Sequence, residues 1–184
     1  MSRPTQTRRP SPTASAGEGQ WAAKMERLRR RARPQNRLRV CDDAELRQRY
    51  DDAEQAARRA RFVAEANPGD ELAARQAADA DSARDQALSA LDAASEFLTF
   101  RALPRPVLED LLAEHPPTEQ QAEQQAIFNA DTFPAALVAA ASVDGMSREE
   151  AEELLNGWSA PDANSLWDAA WQVQQESRVE LGKG

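Results

Sequence analysis

One cysteine, one histidine and one tyrosine occur in 184 residues, and the scarcity excludes several kinds of chemistry. A lone Cys41 forbids an intrachain disulfide and any cysteine-cluster metal site, which fits a reducing compartment. The lone His115 lies between Glu114 and two prolines, with no nucleophile or orienting partner in a recognisable arrangement. A structural role at a helix C-terminus, where a donor suits the exposed carbonyls, accounts for it better than general-base catalysis. The seven glycines are scattered, so there is no glycine-rich phosphate loop. The pairs Glu149-Glu150 and Glu152-Glu153 lack a metal-binding pattern and read as a solvated helix face. No run approaches the ~18 apolar residues of a membrane span, and the N-terminal arginines precede no signal-peptide core. The expectation is a non-enzymatic cytoplasmic protein with no cofactor, no metal and no membrane contact.

What is present is unevenly spread. Residues 1–96 hold 13 large apolar side chains and residues 97–184 hold 24, so the second half can close a core while the first relies on alanine packing or a partner. Charge divides differently. Residues 1–40 carry eleven basic and two acidic residues, a net of +9; residues 41–96 carry seven and fourteen, −7; residues 97–184 carry five and fifteen, −10. A basic arm is thus joined to an acidic body, and the arm can meet phosphates, pair with acidic protein surface, or remain a solvated tail.

The organisation along the chain is all-α. Residues 1–19, rich in Pro, Ser and Thr, are expected to be a disordered basic tail. Residues 20–41 are a short basic helix and linker, with Trp21, Met25 and Leu28 on one face and Pro34 as its stop. Residues 42–96 form an Ala-rich antiparallel helical hairpin. Leu46, Tyr50, Ala53, Ala57, Ala60 and Ala64 step by four and three, Asn67-Pro68-Gly69-Asp70 turns the chain, and Ala73, Ala77, Ala80, Ala87, Leu91, Ala94 and Leu98 continue the seam. Arg84 stands where another apolar residue was due. The hairpin serves either as a spacer or as a dimerisation arm.

Residues 97–176 form a small helical globular domain expected to fold without the N-terminal half, and residues 177–184 a frayed end. Phe97 to Leu103 is either extended or the end of the preceding helix. Val107, Leu108, Leu111 and Leu112 make a short helix ended by His115-Pro116-Pro117, and Thr118 caps a polar helix to about Ile127. Asp131 or Thr132 caps a helix starting near Phe133 and Pro134, apolar on nearly every side through Val143, which belongs at the domain centre. Ser147 and Glu150 make a capping box for a helix with Ala151, Leu154, Leu155 and Trp158 inward. Pro161 opens the last helix, striped with Leu166, Trp167, Ala170, Trp171 and Val173. Phe133, Trp158, Trp167 and Trp171 are the candidate partner-binding residues: three tryptophans exceed what so small a core readily hides, so the alternatives are core packing or a half-open apolar groove for a partner helix.

The order of these parts resembles the tail assembly chaperones of long-tailed phages that infect actinobacteria. The resemblance rests on Phe97-Leu98-Thr99-Phe100-Arg101-Ala102-Leu103, the leucine helix, His115-Pro116-Pro117-Thr118, Asp131-Thr132-Phe133-Pro134-Ala135-Ala136-Leu137 and Ser147-Arg148-Glu149-Glu150. It covers residues 97–176, and departs from the family at Pro104 and Pro106. It implies an assembly factor in the host cytoplasm, absent from the mature virion, that coats the tape-measure protein while tail-tube subunits polymerise. It also implies a longer product made by a minus-one frameshift over Leu181-Gly182-Lys183. Two other readings use different parts of the chain: a DNA-associated packaging factor acting through residues 1–40, against which the acidic remainder argues, and a structural tail or capsid component that self-associates through the hairpin.

Overall fold

The computed structural model describes residues 12–177, with side chains from residue 19. The chain divides between Arg33 and Pro34 into two units. The first contains helix α1, Pro12–Arg29. The expected disordered tail falls partly outside the described residues, at 1–11, and is otherwise corrected: residues 12–19 are helical. Proline suits a first helical position, where its missing amide hydrogen had no partner, and alanines 14, 16, 22 and 23 favour propagation. Trp21 and Leu28 are exposed on α1.

The second unit begins with a departure from the all-α expectation. Residues Gln35–Val40, expected to be linker, form strand β1, whose side chains alternate between exposed and half-buried. Asn36, Leu38 and Val40 point inward, as a period of two requires. β1 pairs antiparallel with β2, Glu96–Arg101, from Gln35 opposite Arg101 to Val40 opposite Glu96. The Arg37 guanidinium lies 3.9 Å from the Phe97 ring centroid, a cation–π contact across the ladder. The class is mostly α, with this one small sheet among the described residues.

Between the strands runs the hairpin, α2 (Ala44–Ala66) and α3 (Glu71–Ala93), each arm about 35 Å long at 1.5 Å per residue. The carboxylates of Asp43 and Asp70 cap the two arms, and Gly69 takes φ 102° in the turn, a conformation glycine adopts without a Cβ clash. Ala57, Ala73, Ala77 and Leu91 are buried in the seam. Arg84 fills its seam position by lying along the interface, 2.6 Å from Asp85 and 3.4 Å from Asp81. The hydrogen bond to Asp85, helped by the charges of Asp85, Asp81 and Glu54, raises its pKa further above the ordinary guanidinium value. Leu98, expected to close the seam, belongs to β2, because α3 ends at Ala93.

The remaining chain makes α4 (Arg105–Glu114), α5 (Glu119–Glu123), α6 (Phe133–Ala141), α7 (Arg148–Gly157) and α8 (Ala160–Gln175). Two expectations need adjustment. α5 stops at Glu123 instead of near Ile127, since Gln125 takes φ 64° and turns the chain so that Phe128 packs against Phe133. The start of α6 is held by Asn129, whose side-chain oxygen accepts from the amides of Asp131 (2.9 Å) and Thr132 (3.3 Å). Thr132 occupies the N-cap position, but its hydroxyl is engaged with His115.

α6 is central as expected, with Phe133, Ala135, Ala136, Leu137, Val138 and Ala141 buried. Around it lie α7, α8 and both strands. Phe100, Ala151, Leu166, Ala170 and Val173 share its core, and Leu38 of β1 packs on the same cluster. The outer edge of β2 is closed by the turn after α6: the Val143 amide donates to the Thr99 carbonyl at 2.8 Å, and the Thr99 amide donates to Asp144 at 2.7 Å. The expected boundary between residues 96 and 97 therefore cuts through β2, and the helical domain includes a strand contributed from before the hairpin.

The Ser147–Glu150 capping box is present with both bonds, 2.7 Å and 3.1 Å. Ser147→Ala should lower stability by about 1 kcal/mol, the usual cost of losing an N-cap. Urea unfolding followed by circular dichroism measures it; an unchanged midpoint would show that water replaces the hydroxyl without loss.

Candidate functional site

Four aromatic rings converge where the α5–α6 loop meets α8. Trp167 and Trp171 are one helical turn apart, so their indoles share a face and stack at 5.3 Å with an interplanar angle of 14°. Phe133, the first residue of α6, meets both indoles edge-on at 6.0 and 6.1 Å. Phe128 completes the group at 4.5 Å from Phe133 and 5.7 Å from each tryptophan. Phe133 is wholly buried, whereas Phe128, Trp167 and Trp171 are only half-buried. Phe133 is therefore the floor of the cluster and the other three form its partly open wall.

His115 holds this arrangement from behind. It is buried, its Nδ1 lies 2.9 Å from the Thr132 hydroxyl, and its ring meets Phe133 edge-on at 6.2 Å. Its carbonyl accepts from the Asn129 amide at 2.8 Å, tying the end of α4 to the loop that carries Phe128. These contacts make His115 a positioning residue.

Beside the rings opens a cleft of about 590 Å³ between the start of α6, α7 and α8. Phe128, Pro134, Leu155 and Trp167 supply its apolar surface, and Asp131, Glu152, Asn156 and Asn164 its polar surface. Among the described residues no cationic side chain lines it. The surrounding sequence is strongly acidic, with fourteen Asp or Glu against the single Arg148 over residues 106–176. The cleft thus offers aromatic contact area within a negative field, suited to an apolar segment flanked by positive charge.

Of the sequence-selected residues, Phe133, Trp167 and Trp171 come together and Trp158 does not. Trp158 is the C-cap residue of α7 and lies in a separate cavity of about 620 Å³ with Leu38, Tyr50 and Leu91, where β1, the hairpin base and α8 meet. Phe128 was not selected from the sequence. Its signal was the short apolar group Ala126-Ile127-Phe128 following a polar helix, of which only Ile127 stays exposed. Among the described residues no cluster of three or more His, Cys, Asp or Glu side chains could hold a metal ion, and no helix is long and apolar enough to cross a membrane. No protein-family model, curated protein or solved structure matches the chain.

Proposed function

We propose that this chain binds a helical segment of a protein client at the aromatic cleft, and that it acts as a phage tail assembly chaperone whose client is the tape-measure protein. The observation that carries the first part is the half-buried Trp167–Trp171 stack beside an open cleft: large, rigid aromatic area left partly uncovered is the usual anchor of a protein-binding site. The second part rests on the order of sequence features over residues 97–176. A helix laid in such a groove presents apolar residues at i, i+4 and i+7, and a long helical tape measure repeats that pattern along its length. Many copies with modest individual affinity then cover one client and keep it dispersed, while their negative charge limits aggregation. Displacement by the growing tail tube needs no covalent chemistry. The working place of such a factor is the host cytoplasm, with no lasting position in the virion.

The test is co-purification with a tape-measure fragment encoded beside this gene. Trp167→Glu or Trp171→Glu should weaken capture by about thirtyfold or more, as loss of an interface hot spot does, with helicity retained. Unchanged capture by both variants would refute the site. Loss of helicity would show the indoles to be core.

A further inference from the structure

The cleft is negative and aromatic, and the same chain carries a segment of the complementary kind. On α1, Trp21, Met25 and Leu28 recur at spacings of four and three, which sets them on one helical face, and Trp21 and Leu28 are 58% and 48% exposed. At 100° per residue Lys24 and Arg29 flank that stripe on either side. Over residues 19–33 there are six basic residues and one acidic one. Opposite charge and an apolar stripe on one helix face are what a groove lined by Trp167, Phe128 and Leu155 and edged by Asp131 and Glu152 selects.

We propose that α1 of one copy seats its Trp21–Met25–Leu28 stripe in the cleft of a second copy. This rests on the cleft being a helix-binding site, and adds how that site is occupied before a client arrives. An isolated helix with so small an apolar face is marginal in water and gains stability by docking. Head-to-tail docking between copies leaves one free α1 and one free cleft at the ends of a chain of protomers, so association grows with concentration. A client helix must then displace α1, which sets a threshold for binding and favours long clients that engage many clefts together. The attraction between the basic stripe edges and the acidic cleft weakens with salt.

Sedimentation velocity on the full-length chain tests this. The wild type should sediment above monomer mass in a concentration-dependent way, less so at high salt, and Trp21→Glu should weaken association by about tenfold or more. Because Trp21 is exposed, this change leaves the fold intact. Glu152→Arg should also weaken association, by about threefold, and Lys24→Glu in the same chain should restore it. Mixing Trp21→Glu, which keeps its cleft, with Trp167→Glu, which keeps its α1, should give a one-to-one complex; no complex in the mixture, a strictly monomeric wild type, or unaltered association of Trp21→Glu would overturn the proposal. Capture of the tape-measure fragment separates its failure from that of the site itself. If Trp21→Glu still captures the fragment and still self-associates, only the docking of α1 is wrong. If Trp167→Glu and Trp171→Glu both capture as well as wild type, the cleft reading fails.

Discussion

Phe133→Ala should destabilise the domain by about 3–5 kcal/mol, the range for truncating a buried phenylalanine without refilling its space. The side chain is wholly buried, and four rings use it as a common surface: His115, Phe128, Trp167 and Trp171. Removing it leaves each with a void on one side, and the lost dispersion contacts add to the lost burial. Phe133→Leu, which keeps most of the volume, should cost much less. Urea unfolding of the two variants, followed by tryptophan fluorescence, measures both. Equal, small losses in the two would mean that the loop carrying Phe128 collapses into the space and that the cluster is not rigid.

The same cluster shows what the sequence makes legible. Trp167 and Trp171 could be paired from their spacing alone, because a separation of four always shares a helical face. Phe133 could be placed at a helix start from the adjacent proline. Phe128 could not, because its position depends on a left-handed turn at Gln125, a residue type with no special preference for that conformation. Trp158 illustrates the opposite limit. Its spacing from Ala151, Leu154 and Leu155 places it on the inner side of α7 correctly, and it packs on the core, but the helix ends at Gly157 and the residue lines a different cavity from the other two tryptophans.

Local signals located the helices well and the sheet poorly. Both arms of the hairpin follow from a repeated seam, two aspartate caps and the Asn67–Asp70 turn, all contained within their own stretch of chain. β1 has only Leu38 and Val40 as large apolar residues, interleaved with Arg37 and Arg39, and it follows a basic helix and a proline. Nothing within those six residues distinguishes an edge strand from a linker. What makes it a strand is β2, more than fifty residues away, which supplies the hydrogen-bonding partner and the core under Leu38.

That dependence reverses the expectation that residues 97–176 fold alone. Such a fragment lacks β1, so the whole inner edge of β2 loses its ladder partner and the core loses Leu38. The ladder hydrogen bonds between the strands are lost, and α8 loses one of the two strands it packs against. The fragment should melt without a cooperative transition, while residues 34–177 should melt cooperatively. The sharper comparison removes the hairpin and keeps β1. Val40 and Glu96 are opposite each other at one end of the ladder, so replacing residues 41–95 with an Asn-Gly turn joins the strands as a tight antiparallel β-hairpin. This shortened chain should recover a cooperative transition, at reduced stability because the cavity around Trp158 loses Tyr50 and Leu91. Differential scanning calorimetry of the three chains decides it. A cooperative transition in residues 97–176 alone, equal in midpoint to that of residues 34–177, would show that β1 is a dispensable addition to a core complete without it.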